Sequence, residues 1–497
     1  MPIRTRTRTR THTLALAAAT ATALAATGLT AASATAASAT AADAQPPTPR
    51  TDFNHDGYAD LAVGMPNASV SGVAKAGYVN IVWGGKNGLG ASGSTRVSQA
   101  TAGVPGTPES GDRFGASVTT ADVDGDGRTD LVVGAPGEAI GSKAKAGTVA
   151  VIHGTATGFG AGTTVADGPA ASAAYGKSLV AADFTGDGAQ DIVIGATDKV
   201  LLHTGTTTTV FMGDHMGGRA PVLAAGDFNH DGIADVAVTY YTQNQPYTQS
   251  QIRLAAWNKD EKSFLVYWNN SNGTASALAA GDFDGDGFTD LAMGNCRENA
   301  DENIDDPCGP EKYTKGGGIH IQYGDATGTF WDRQQTLNQD TPDVPGTAET
   351  GDLFGGALTV ADIDGDGYDD LIVGAPGEGI GSKAKAGAIT ALRGGKDGIV
   401  NAEGKAVGIG VQQDTPGVPG AAEAGDLFGA ALTADDYDGD GLPDVAVGSP
   451  GENGSLGAVW QLRGAEDAPV TAFSPRTLRL PSSVNPPQYG SVFPTAE

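Results

Sequence analysis

The stretch FGASVTTADVDGDGRTDLVVGAP, residues 114–136, contains the pattern that decides the fold. At its centre lies a nine-residue segment, DVDGDGRTD (122–130), of the form D-x-[D/N/T]-x-D-G-x-x-D. An aromatic-glycine pair, Phe114-Gly115, stands eight residues before it, and apolar residues lead from it into Gly134-Ala135-Pro136. Short apolar runs bounded by Gly, Pro and Asp are typical of β-strands. The stretch therefore predicts a strand, an acidic loop and a second strand.

The same nine-residue pattern recurs seven times, on average every 64 residues, and its copies account for residues 51–497. The copies are DFNHDGYAD (52–60), DVDGDGRTD (122–130), DFTGDGAQD (183–191), DFNHDGIAD (227–235), DFDGDGFTD (282–290), DIDGDGYDD (362–370) and DYDGDGLPD (436–444). Most copies are followed by another apolar run, such as TVAVIHG from Thr148, and a weaker fourth strand completes each unit. The repeat length fits a propeller blade. We predict an all-β, seven-bladed β-propeller of four-stranded antiparallel blades.

Residues 489–496 are expected to close this ring. Aromatic-glycine pairs also precede the third, sixth and seventh copies, at Tyr175, Phe354 and Phe428, whereas the fourth and fifth copies lack one. The first copy begins at Asp52 without such a strand, and Tyr489-Gly490 stands at the end of the sequence. We predict that this terminal segment supplies the missing inner strand of blade 1, so that no sheet edge stays open.

The combination of F-G, an Asp-rich loop and G-A-P at fixed offsets resembles the FG-GAP repeats of the integrin α-chain head and of related secreted bacterial proteins. The resemblance implies a seven-bladed propeller with calcium in the loop between the first two strands of a blade. It also implies that recognition uses the opposite face, where the GAPGE-x-IGSKAKAG loops (134–147 and 374–387) and acidic inter-blade turns lie. The chain is therefore expected to be an adhesion or extracellular recognition module.

The acidic loops are the candidate calcium sites, up to seven Ca²⁺ ions per chain. Calcium prefers six to eight oxygen ligands, which side chains at positions one, three, five and nine and the carbonyl at position seven supply. Gly at position six permits the sharp turn. The Glu expected at position twelve of an EF-hand loop is absent, since Val133 stands there. The alternative is that these segments are plain Asp-Gly turns, and the Thr185 loop is expected to be the weakest site.

The predicted ligands, in chain order, are Asp52, Asn54, Asp56, Tyr58 and Asp60; Asp122, Asp124, Asp126, Arg128 and Asp130; Asp183, Thr185, Asp187, Ala189 and Asp191; Asp227, Asn229, Asp231, Ile233 and Asp235; Asp282, Asp284, Asp286, Phe288 and Asp290; Asp362, Asp364, Asp366, Tyr368 and Asp370; and Asp436, Asp438, Asp440, Leu442 and Asp444.

Charge and the first residues indicate an exported protein that does not bind nucleic acid. The formal net charge of −28 argues against phosphate-backbone binding. Residues 1–44 combine four arginines with an Ala/Leu-rich stretch and small-residue cleavage sites, as in a secretory signal peptide, and residues 45–50 form a linker. No later apolar run reaches 18 residues. We expect a secreted monomer without a membrane span, whose partner is an extracellular protein or glycan.

Two cysteines, Cys296 and Cys308, flank an acidic insertion in the fifth repeat and are expected to form one disulfide in an exported chain. The stapled loop is a partner site or a stabilised surface insertion. Catalytic motifs are absent from the sequence, so no catalytic residue and no cofactor other than calcium are predicted. Two alternatives to an adhesion module stay open, a lectin-like propeller and a calcium-assisted hydrolase or lyase. The five tryptophans are either sugar platforms or blade-core residues.

Overall fold

A computed structural model describes residues 51–213, 220–244, 247–270, 275–294, 315–326, 328, 333–464 and 469–495. Within these residues the chain forms seven antiparallel sheets, each built from strands that follow one another in sequence. The strands of the first four sheets are β1 (Leu61–Met65), β2 (Tyr78–Val82), β3 (Ser94–Val97); β4 (Ser117–Ala121), β5 (Asp130–Ala135), β6 (Thr148–Thr155), β7 (Gly158–Asp167); β8 (Ser178–Ala182), β9 (Asp191–Gly195), β10 (Lys199–Thr204), β11 (Thr207–Gly213); and β12 (Val222–Gly226), β13 (Asp235–Asn244), β14 (Tyr247–Asn258), β15 (Ser263–Asn270).

The strands of the last three sheets are β16 (Ala277–Gly281), β17 (Asp290–Gly294), β18 (Ile319–Gln322), β19 (Gln334–Leu337); β20 (Ala357–Ala361), β21 (Asp370–Ala375), β22 (Ala388–Leu392), β23 (Gly408–Val411); and β24 (Ala431–Asp435), β25 (Asp444–Ser449), β26 (Ala458–Leu462), β27 (Thr471–Phe473). One helical turn, α1 (Glu452–Ser455), lies between β25 and β26. The predicted all-β, seven-bladed propeller is confirmed.

The hydrophobic core lies between blades rather than inside them. The buried apolar residues fall into seven clusters, and each cluster is shared by two neighbouring blades. The cluster between the last blade and the first contains Tyr437 together with Ala59 and Leu61, so the ring is continuous. Fully burying a large apolar side chain contributes roughly 1.5–3 kcal/mol. Each blade is thus stabilised mainly by the two blades that flank it.

The terminal segment completes blade 1 as predicted. The first sheet has three strands, and the free side of β1 meets Val492, with the Gly64 N–H donating to the Val492 carbonyl at 3.0 Å. Tyr489 forms a parallel bridge with Gly457, just as Phe428 does with Gly387 one blade earlier. The C-terminal Tyr-Gly pair therefore occupies the place of the aromatic-glycine pair of blade 1. The contact is a single bridge and not a long strand.

Strand direction separates two sets of loops. The Asp-rich loops connect the first and second strands of a blade, as residues 122–129 connect β4 and β5. The Gly-Ala-Pro loops connect the second and third strands, as residues 136–147 connect β5 and β6. Because consecutive strands are antiparallel, these two sets lie on opposite faces of the ring. The predicted assignment of loops to faces is confirmed.

Candidate metal centres

All seven acidic loops share one internal hydrogen-bond pattern. The Asp at position one accepts the N–H of the Gly at position six, at 2.8–3.0 Å, and the Asp at position five accepts the N–H of residue seven, at 2.9–3.1 Å. The position-six glycines have φ between 80° and 93°, a conformation that disfavours a side chain. The seven loops therefore have the same backbone conformation.

The Asp at position nine is a buried carboxylate at the start of the second strand. In blade 2, Asp130 accepts the Val123 N–H at 3.1 Å through Oδ2 and the Gly154 N–H at 2.8 Å through Oδ1. Burial is the main cause that raises the pKa of these carboxyls, to about 7 for Asp60 and Asp444 and to about 8 for Asp235 and Asp290. A bound cation would favour the ionised form of these carboxyl groups.

Several loops bring three carboxylates close enough to share one ion. Ligand oxygens of Asp282, Asp284 and Asp290 in blade 5 lie within 4.8 Å of one another, as do those of positions one, three and nine in blade 6. In blades 2 and 7 the equivalent group comes from positions one, three and five. In blade 5, Oδ1 of Asp284 is buried without a hydrogen-bond partner. These all-oxygen donor sets fit a hard divalent cation such as calcium.

The position-seven residues contribute to the hydrogen bonds within the loops mainly through their backbone. Their N–H groups donate to the Asp at position five, and the rings of Tyr58 and Tyr368 lie against Gly439 and Gly285 in the loop of a neighbouring blade. Arg128 is the exception, since its guanidinium also pairs with Oδ2 of Asp126 at 2.8 Å. The ligand role of their carbonyls stays a prediction, as does the role of Asn54, Thr185 and Asn229 at position three.

A basic side chain that the sequence analysis missed contacts the acidic loop in four blades. Strand register places a residue at or just beyond the end of the third strand opposite the position-nine Asp, and this residue is His153 in blade 2, Arg393 in blade 6 and Arg463 in blade 7. Arg393 pairs with Asp364 and Asp370, and Arg463 with Asp438 at 3.1 Å. The signal in the sequence is the basic residue before Gly154, Gly394 and Gly464. In blade 5 the partner of Asp284 is Arg333, which the repeat pattern does not mark.

The opposite face carries three equivalent carboxyl–amide pairs. Gln99, Gln339 and Gln413 each donate Nε2–H to the Glu that follows the Gly-Ala-Pro turn or its variant, Glu138, Glu378 or Glu452, at 2.6 Å. Burial raises the pKa of all three glutamates, that of Glu138 to about 7. The predicted acidic inter-blade turns lie beside these pairs, where Asp352 and Asp426 accept the N–H groups of Glu349 and Glu423.

Other predicted features are packed into the core or lie outside the described residues. Trp460 is buried and donates its indole N–H to the Pro419 carbonyl at 2.8 Å, and Trp268 is also buried. Trp83 and Trp257 pack against phenylalanines. The described tryptophans thus follow the blade-core alternative. Residues 1–50, Cys296, Cys308 and Trp331 lie outside the described part of the chain.

Comparison with known proteins identifies the repeats. Residues 50–82, 114–152, 354–392 and 428–460 match the profile of the FG-GAP repeat, and residues 227–293 match that of an FG-GAP-like repeat. None of the described helices is long and apolar enough to cross a membrane.

Two kinds of curated protein are similar to the chain. Phosphatidylinositol-glycan-specific phospholipase D from Rattus norvegicus is 34% identical over 152 residues, which is 29% of this chain and 17% of that protein. The Homo sapiens protein of that name is 27% identical over 387 residues, 70% of this chain and 44% of that protein. Integrin alpha pat-2 from Caenorhabditis elegans is 29% identical over 241 residues, 46% of this chain and 17% of that protein. The chain spans less than half the length of each of these relatives.

Proposed function

Because this chain is a seven-bladed propeller of FG-GAP repeats, we propose that it acts as a secreted, calcium-binding module for adhesion or extracellular recognition. The observation that carries the proposal is the common conformation of the seven acidic loops on one face, four of which bring three carboxylate oxygens within 4.8 Å of one another. The similarity to integrin alpha chains supports a recognition role.

Calcium would be held by the side chains at positions one, three, five and nine, with the position-seven carbonyl. The ion supplies positive charge that offsets the repulsion among three or four carboxylates in each turn. Its role is structural in this proposal, since binding energy gained only in the folded loop adds to the stability of the blade. Residues 1–44 are proposed to direct export, and Cys296 and Cys308 to form a disulfide.

Partner binding is assigned to the face with the Gly-Ala-Pro loops. Loops on a rigid scaffold are the usual carriers of binding function. Here they are held by the carboxyl–amide pairs and by the hydrogen bonds to the next blade, for example from the Phe114 N–H to the Ala76 carbonyl at 2.9 Å. The face is therefore preorganised, which lowers the entropic cost of binding.

Two measurements test the proposal. Elemental analysis of the dialysed protein should find at least four calcium ions per chain, matching the four-Asp loops, and a value near zero would contradict calcium binding. An array of matrix proteins and polysaccharides, probed in calcium and in chelator, should give calcium-dependent binding to proteins. Binding to glycans alone would favour the lectin-like alternative instead.

A further inference from the structure

His153 places a nitrogen ligand inside the acidic loop of blade 2. Its Nδ1 lies 3.3 Å from Oδ2 of Asp124 and 3.3 Å from Oδ2 of Asp130. The three ligand atoms are mutually within 4.8 Å, and this is a second group beside Asp122, Asp124 and Asp126. Among the described residues, no other group of potential metal ligands contains a histidine.

Hydrogen-bonding neighbours hold Asp130 and His153, the two inner members of this group, in place. The side chain of Asp130 is 1% exposed and is held by the backbone N–H groups of Val123 and Gly154. The second ring nitrogen of His153, Nε2, lies 3.5 Å from Oγ1 of Thr163 on the neighbouring strand β7. Metal-binding histidines usually use one ring nitrogen for the ion while a polar group orients the other. His153 has this arrangement.

In blades 6 and 7 the position of His153 is occupied by an arginine, which is not a metal ligand. Arg393 and Arg463 stand where His153 stands and pair with the carboxylates at position three, and Arg393 also with that at position nine. A guanidinium has no free lone pair and cannot ligate an ion, whereas a neutral imidazole can. In blade 2 the guanidinium of Arg128 pairs with Asp126 instead, so it leaves Asp124 and Asp130 to His153.

We propose that blade 2 holds a divalent transition-metal ion of the zinc class, ligated by Nδ1 of His153 and by carboxylate oxygens of Asp124 and Asp130. Calcium takes oxygen ligands almost exclusively, whereas imidazole suits zinc and its neighbours. One nitrogen in an otherwise all-oxygen loop therefore gives blade 2 a metal preference different from that of the other blades. Three protein ligands leave a position for water. Because the site shares Asp124 and Asp130 with the proposed calcium site of blade 2, zinc takes the place of calcium in this loop when both metals are present, and calcium occupies the loop only when zinc is absent.

The test is zinc binding in buffer that contains millimolar calcium, measured by competition with a chromophoric chelator. The intact protein should bind one zinc ion per chain under these conditions. His153→Arg, which copies blades 6 and 7, should lower zinc affinity at least about 100-fold, and Thr163→Val should lower it about 10-fold. The reciprocal change Arg393→His should add a second zinc site. His55→Asn, at an exposed histidine in the loop of blade 1, is the matched control and should leave zinc binding unchanged.

A spectroscopic measurement separates ligation from mere proximity. With cobalt(II) in place of zinc, the intact protein should show a hyperfine-shifted, solvent-exchangeable imidazole proton, which His153→Arg removes. Unchanged zinc affinity in His153→Arg, or no such proton in the cobalt protein, would overturn the proposal. If zinc binding fails while elemental analysis still finds calcium, only this inference is wrong. If both metals fail to bind, the calcium proposal is wrong as well.

Discussion

At the scale of residues, the acidic loops with a fourth Asp at their ligand positions also have a guanidinium in contact. Blades 2, 5, 6 and 7 have an Asp at position three and a guanidinium in contact with the loop, whereas blades 1, 3 and 4 have Asn or Thr there. Among the described residues no ion pair reaches the loops of blades 1, 3 and 4. At positions one, three, five and nine, each loop therefore combines either four carboxylates with one guanidinium or three carboxylates alone, and Asp369 adds a further carboxylate in blade 6. The guanidinium thus offsets the additional Asp of the four-Asp loops, which reduces the difference in calcium affinity expected between these loops and the Thr185 loop.

Arg463→Gln should destabilise the calcium-free protein. The side chain of Asp438 is 5% exposed, so losing Arg463 leaves a nearly buried charge without its partner. We expect a loss of about 2 kcal/mol in the free energy of unfolding without calcium. Calcium should restore most of it, because the ion replaces the lost positive charge. Chemical denaturation in chelator and in calcium measures both, with Arg476→Gln, at an exposed arginine, as the control. An equal loss in the two buffers would contradict this account.

Substitutions at the adjacent residues Gly394 and Gly395 test whether close packing after β22 requires a glycine. The Gly394 N–H donates to Oδ1 of Asp370 at 2.9 Å, and a Cβ there would lie 2.3 Å from the Asp369 carbonyl oxygen. A Cβ added at Gly395 would have open space around it. Gly394→Ala should lower the free energy of unfolding by roughly 2–3 kcal/mol through overpacking. Gly395→Ala should change it by less than about 1 kcal/mol. Equal effects in thermal and denaturant melts would show that the close contact is unimportant.

At the scale of elements, the blades were predictable because they repeat. The acidic loop, the strands around it and the Gly-Ala-Pro turn recur at fixed offsets, so each copy supports the others. The carboxyl–amide pairs were missed although all three have the same separation of 39 residues, because a Gln and a Glu so far apart carry no local strand or turn signal. Arg333 was missed for a different reason, since it lies beyond the third strand at an offset from its loop that no other repeat shares. Contacts between residues that are distant in sequence depend on the arrangement of the strands in space and are seen only in the three-dimensional structure.

Glu138→Gln tests one carboxyl–amide pair through pH. Burial raises the pKa of Glu138 to about 7, so the folded state binds a proton more tightly than the unfolded chain does. Its contribution to stability is therefore full at pH 4 and declines as pH rises toward 7. Glu138→Gln should remove this decline and make the protein relatively more stable at pH 8 than at pH 5, compared with the unchanged chain. Denaturant melts at both pH values, at fixed calcium, measure the difference. A parallel pH dependence in the two proteins would refute it.

At the scale of the whole molecule, the ring depends on contacts between its two ends. Tyr489 is fully buried, its hydroxyl accepts a hydrogen bond from Nδ2 of Asn80 at 3.0 Å, and it packs against Phe473. The aromatic-glycine spacing was enough to predict this closure. The sequence did not indicate that, in the described part of the terminal segment, a single bridge between Gly64 and Val492 would join it to β1.

Tyr489→Ala should weaken the whole ring. Removing a buried aromatic side chain costs about 3–5 kcal/mol, and here the cavity opens between the first and last blades. We expect a clear fall in the midpoint of thermal unfolding, whereas Val484→Ala, at a residue that is 71% exposed, should leave it unchanged. Calorimetry on both variants measures this. A midpoint equal to that of the unchanged protein would mean that the terminal segment does not hold the ring together.

The pairing of Gly64 with Val492 also sets an order of events during biosynthesis. Blade 1 is made first but waits for residues that are synthesised more than 400 positions later. At about 5–20 residues per second, this delay amounts to tens of seconds. During that time the edge of β1 and the apolar surface that Tyr437 later covers have no partner. A chain with this topology therefore closes its ring only once Val492 has been synthesised, long after the strands of blade 1.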